Sequence, residues 1–134
     1  MALQQFFGDD AIFEHIGLAV ASIGEAAGDG VESVADETQQ VSVAFINLHG
    51  IQIELIEPLT ETSPISRNLK QGQKLVHLCF RVPLLEAAIA TARQHGFHCI
   101  AQPVPAKAFD ERKIAWLFSR TYGLIELLEA NPQG

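Results

Sequence analysis

IELIE (53–57) and IELLE (125–129) nearly repeat each other, and each sets a carboxylate, Glu54 or Glu126, inside an apolar run with the pattern of a β-strand. Burying an ionised carboxylate without a partner costs several kcal/mol or more, so a core strand avoids it unless something answers the charge. Two exposed strand faces would explain the pair simply. A single cation shared by both carboxylates would explain it more sharply.

Working outward, each of these stretches closes a similar series of elements. HIGLAV (15–20) and HLCFRV (77–82) both begin with histidine and read as strands. After the second comes PLLEAAIATARQHG, with Pro83 at its start, Leu84, Leu85, Ala88, Ile89 and Ala92 on one helical face, and Gly96 as a stop. Strands are then expected over 97–101, 113–118 and 123–129. After the first, Ser22 and Glu25 have capping-box spacing, but Gly24, Gly28 and Gly30 predict a short helix. Strands follow at about 31–36, 40–48 and 51–57, with a tight turn at His49-Gly50. The polar segment TETSPISRNLKQGQK joins the halves and has room for one or two helical turns. The order is β-α-β-β-β, twice. That predicts an α+β domain over 1–134, with module one at about 12–58, a linker at about 59–73 and module two at about 74–130.

Side chains alternate along a strand, so His15 shares a face with Gly17 and Ala19, and His77 shares one with Cys79 and Arg81. Glu54 lies with Gln52 and Ile56, and Glu126 with Leu124 and Leu128. Small residues beside each imidazole leave space next to the ring. If the modules are related by a pseudo-two-fold, the two His–Glu pairs can converge. Two imidazoles and two carboxylates suit a divalent ion such as Co, Mn, Ni, Zn or Mg, with positions left open for a ligand. Such an ion would act as a Lewis acid on a bound carbonyl, and an adjacent carboxylate could move a proton on the neighbouring carbon. The plainer alternative keeps each histidine as a satisfied core residue and each glutamate in solvent. His49, His95 and His98 read as structural. Glu57 and Glu129 fall on the opposite strand face and are expected to face solvent.

Bulk properties narrow the setting. Of the 134 residues, 48% are hydrophobic and 19% charged, which argues against disorder. No apolar run is long enough to span a bilayer, and the N-terminus carries acids where a signal peptide has basic residues, so cytoplasm is the expected compartment. Cys79 and Cys99 lack paired metal spacing and read as reduced thiols. Residues 1–66 hold 11 Asp/Glu and no Lys or Arg; residues 67–134 hold all nine Lys/Arg and five Asp/Glu. No dense basic stripe marks a nucleic-acid surface, while an anionic small molecule approaching the second half fits the asymmetry. Ser/His/Asp nucleophile arrangements and phosphate-loop glycine patterns are absent.

FEHIGLAV, VAFINLHGIQIELIEPL, SPISRNL, LVHLCFRV and LIELLEA occur in that order over about residues 12–130. Together they resemble the vicinal oxygen chelate (glyoxalase/bleomycin resistance) superfamily, and within it the methylmalonyl-CoA epimerases. The resemblance implies paired βαβββ modules forming a cupped mixed sheet around one divalent metal, held by His15, Glu54, His77 and Glu126. It further implies an isomerase acting at the α-carbon of an acyl-CoA thioester through a metal-stabilised enolate, with Glu126 as both ligand and base. Another glyoxalase-type enzyme, or a small-molecule-binding protein of the antibiotic-sequestering type, is the alternative. A homodimer is the oligomer this superfamily suggests.

Three departures accompany the likeness. The stretch between Val20 and Val41 is shorter than in the epimerases, which shortens module one and opens its pocket. Ser42 and Val43 stand where some epimerases carry a second acid/base glutamate. FSRTYG (118–123) replaces a His-Pro-Lys segment before the last strand, leaving Arg120, Lys113 and Arg112 as candidates for contacting substrate phosphate.

Overall fold

A computed structural model describes residues 2–130; the outermost residues of the expected 1–134 domain lie outside the described residues. Among the described residues, eight strands, three α-helices and two short 3-10 turns follow one another. By backbone contacts the chain divides into two compact units, His15–Val76 and a second made of Met1–Glu14 with His77–Gly134.

The first unit contains most of β1 (Ile12–Ala19), α1 (Ile23–Ala27), β2 (Val34–Asp36), β3 (Val41–Leu48), β4 (Ile51–Pro58) and α2 (Pro64–Lys70). Its strand order is β2-β3-β4-β1. β3 and β4 form an antiparallel hairpin, and β1 runs parallel to β4, pairing Gly17 with Glu54. The hairpin turns on His49 and Gly50, whose φ values of 53° and 88° are the two left-handed positions of a type I′ turn. Asn47 Oδ1 accepts the Gly50 N–H at 2.9 Å and fixes that turn. Ser22 caps α1 by accepting the Glu25 N–H at 3.2 Å. The glycines hold this helix to five residues, as its composition predicts. α2 is the turn-forming part of the linker, opened by Pro64 at its first position.

The second unit contains most of β5 (Leu75–Val82), followed by α3 (Leu85–Arg93), β6 (His98–Ala106), β7 (Arg112–Ser119) and β8 (Gly123–Glu129). The order is β5-β8-β7-β6, with β5 parallel to β8 and the other pairs antiparallel. α3 buries Leu85, Ala88, Ile89 and Ala92 against the sheet face of Phe80, Leu117, Ile125 and Leu127. Each such side chain, fully withdrawn from water, contributes roughly 1.5–3 kcal/mol for Leu, Ile or Phe. A 3-10 turn at Leu3–Phe7 adds Phe7, whose ring lies 5.2 Å from both Phe80 and Phe97.

β1 and β5 start three and two residues before the histidines that open HIGLAV and HLCFRV, and two further strands differ from the sequence reading. β2 covers three residues rather than about six. β6 continues five residues past 101, through Pro103 and Pro105, because it is the outer strand and is bulged twice, where missing N–H groups are tolerated.

Candidate metal centre

β1 shows the predicted alternation, while β5 is buried on both faces, with Phe80 and Val82 covered opposite His77 and Cys79. In β1, His15, Gly17 and Ala19 are buried while Ile16 and Leu18 are half-buried; in β5, His77 and Cys79 are buried. Within the first unit, His15 Nε2 lies 3.4 Å from Glu54 Oε1, with the histidine 0% and the glutamate 5% exposed. Within the second, His77 Nε2 lies 3.2 Å from Glu126 Oε1, at 6% and 2% exposure. The local causes are the same. A parallel pair sets Gly17 opposite Glu54 and Cys79 opposite Glu126, so each histidine, two residues earlier, leans diagonally toward the carboxylate.

The antiparallel neighbour on the other side presents an aromatic ring. Phe45 stands opposite Glu54 and its ring is 5.8 Å from that of His15; Trp116 stands opposite Glu126 and its ring is 4.8 Å from that of His77. Neither aromatic was among the sequence-predicted site residues. An aromatic side chain nine or ten positions before each glutamate was the available signal.

The donor set fits a divalent cation. Two ligands bound at about 2.1 Å to one ion stand about 3.0 Å apart at a right angle and about 3.4 Å apart at the tetrahedral angle. The two nitrogen–oxygen separations fall in that interval, and both exceed a good charge-assisted hydrogen bond of about 2.7–2.9 Å. Buried carboxylates also need positive charge nearby. The buried pairs His15–Glu54 and His77–Glu126 each supply one imidazole and one carboxylate, donor types that could hold a metal ion.

Glu57 and Glu129 correct the sequence reading. Both lie on the face opposite the histidine pairs, as alternation requires, but they do not simply face water. Glu57 Oε1 accepts the N–H of Ile23, the first residue of α1, at 2.8 Å, and Glu129 Oε2 accepts the N–H of Leu85, the first residue of α3, at 3.0 Å. Each near-repeat therefore carries one carboxylate toward a histidine and one toward a helix start.

The phosphate candidates are spread out. Arg112 donates from Nε to the Phe109 carbonyl at 3.1 Å and lies over the Phe109 ring, while Lys113 beside it is exposed. Arg120 is exposed just past the far end of β7, about 26 Å along the strand at ~3.3 Å per residue. One phosphate cannot meet both ends. On β3, Val43 is buried on the Phe45 face, and Ser42 lies on the other face opposite Glu57, so neither supplies a second acid beside Glu54. Cys79 and Cys99 form no disulfide, and no helix among the described residues is long and apolar enough to cross a membrane.

Residues 12–116 match the Glyoxalase/Bleomycin resistance protein/Dioxygenase superfamily. The chain belongs to this superfamily. Its mixed strands and few helices have the superfamily's fold, to which a crystal structure of methylmalonyl-CoA epimerase from Mycobacterium tuberculosis is similar. That structure matches with a TM-score of 0.74 and 25% identity, over 90% of this chain and 89% of the other. The uncharacterized protein YqjC of Bacillus subtilis is 36% identical, covering 90% of this chain and 92% of its own length. The mitochondrial methylmalonyl-CoA epimerase of Homo sapiens is 28% identical over 87% of this chain and 72% of its own. Both superfamily epimerases are similar to this chain along nearly its whole length.

Proposed function

We propose that this superfamily member is a metal-dependent isomerase acting at the α-carbon of an acyl-CoA thioester, of the methylmalonyl-CoA epimerase type. The observation carrying the reading is the duplicated His–Glu pair, buried in each module and spaced as two ligands of one ion are spaced. The likeness to two epimerases supports the substrate class.

His15, Glu54, His77 and Glu126 would hold the ion. When bound, a divalent ion supplies Lewis-acid stabilisation of negative charge on a carbonyl oxygen. Glu126 would take the α-proton onto its carboxylate while the C–H electron pair moves toward the carbonyl, and inversion then requires a proton delivered to the opposite face of that carbon by a donor other than Glu126. Burial of both pairs keeps bulk water from the carbon that has lost its proton. Arg120 at one end of β7, or Lys113 and Arg112 at the other, would meet the phosphates of the thioester's carrier. A homodimer working in the cytoplasm completes the reading.

The test is incubation with methylmalonyl-CoA in D₂O with Co²⁺ or Mn²⁺ supplied. Deuterium entering the α-position supports the proposal, and its absence sinks it. A second reading, small-molecule binding without turnover, is favoured by one observation: Val43 is a buried hydrocarbon on the Glu54 side of β3, where a second acid/base would stand. A purified protein holding no metal, with a melting temperature that metal does not raise, would select that reading.

A further inference from the structure

Each module sets a glutamate on β4 or β8 directly opposite an aromatic on β3 or β7, with a histidine on β1 or β5 two residues off that row. The outer two of these strands are about 9.6 Å apart, two spacings of ~4.8 Å. Yet the Trp116 and His77 rings are 4.8 Å apart at an interplanar angle of 81°, and Phe45 and His15 are 5.8 Å apart at 70°. To meet, both rings must lean over the intervening glutamate strand. Only a long, flat side chain closes that gap, which accounts for an aromatic at both positions and for the edge-to-face geometry.

From this repeated arrangement we infer that Trp116 and Phe45 are positioning residues, which hold the His77 and His15 imidazoles with Nε2 turned toward Glu126 and Glu54. An imidazole in a strand has a broad choice of ring rotation about its second side-chain torsion. A ring packed edge-to-face against it removes most of that choice, so the nitrogen arrives already aimed. Both aromatics are half-buried. Trp116 makes the closer contact and has the larger effect. The inference rests on the reading of the pairs as ligands only where metal affinity is concerned; the orientation of the rings stands apart from it.

The experiment titrates Co²⁺ into wild type, Trp116→Leu, Trp116→Phe and Phe45→Leu without substrate, following the visible Co²⁺ bands. Leucine at 116 is expected to weaken binding roughly 3- to 10-fold and to alter the band shape, leucine at 45 to do so less, and phenylalanine at 116 to restore most of the affinity. Equal affinity and an identical spectrum for Trp116→Leu would overturn the inference. Metal-free protein provides the separate readout: NOEs from the His77 and His15 ring protons to side chains of the neighbouring glutamate strand, which report ring rotation independently of the deleted aromatic. Loss or averaging of the His77 pattern in Trp116→Leu, or of the His15 pattern in Phe45→Leu if the first variant fails to fold, supports the positioning role. An unchanged pattern overturns it. No Co²⁺ binding by wild type would instead count against the metal reading, leaving the ring-proton result to decide positioning.

Discussion

The carboxylate of Glu129 receives the backbone N–H of Leu85 at 3.0 Å, joining the end of β8 to the first turn of α3. Leu84, at the cap position, offers no side-chain acceptor, so an acid from a distant strand supplies what Ser, Thr or Asp normally supplies locally. Negative charge there also meets the positive end of the helix dipole. Glu129→Ala is expected to lower stability by about 1–2 kcal/mol in urea denaturation, with Co²⁺ affinity of the folded protein unchanged. A matched loss of metal affinity would show that Glu129 does more than hold the helix.

Histidine removal tests the centre. His77→Ala and His15→Ala each delete one ligand of the proposed set, and each should reduce bound metal by at least about 10–100-fold, measured by elemental analysis after dialysis. Metal content equal to wild type in either variant would refute that residue's assignment.

Glu126→Gln separates proton transfer from ligation, because the amide oxygen still faces the site while the basic carboxylate is gone. Deuterium exchange at the α-carbon should fall by about 10²–10⁴-fold, chiefly through kcat. A drop confined to KM would argue that Glu126 binds rather than transfers.

The turn between β6 and β7 places Asp110 and Glu111 at φ of 56° and 65°. Aspartate tolerates the left-handed region; glutamate there carries a cost of about 1–2 kcal/mol. Glu111→Gly relieves it against the entropic cost of glycine, so a gain of roughly 0.5–1 kcal/mol is expected from the thermal midpoint. A lower midpoint would mean that the Glu111 side chain makes a compensating contact.

The His–Glu pairs were legible because duplication put the same residue types in the same frame twice. Alternation gave the correct faces of Glu57 and Glu129, but alternation does not say what covers a face, and helix starts rather than water lie there. Phe45 and Trp116 escaped notice because the two hairpins differ. One turns on two residues and the other on three, so the aromatic precedes its glutamate by nine positions in one module and ten in the other. The outer half of β6 was hidden by prolines, and the 3-10 turn at Leu3–Phe7 is too short to show a period.

Those prolines have a second effect. β6 ends its four-strand series, and the free side of a terminal strand normally offers a ladder of N–H and C=O groups to any extended chain. Pro103 and Pro105 delete two donors, and register breaks between Cys99 and Val104 bend the remainder out of line. A second chain cannot zip along this margin. The strand is thereby guarded against runaway sheet growth, the route by which exposed β-edges seed fibrils.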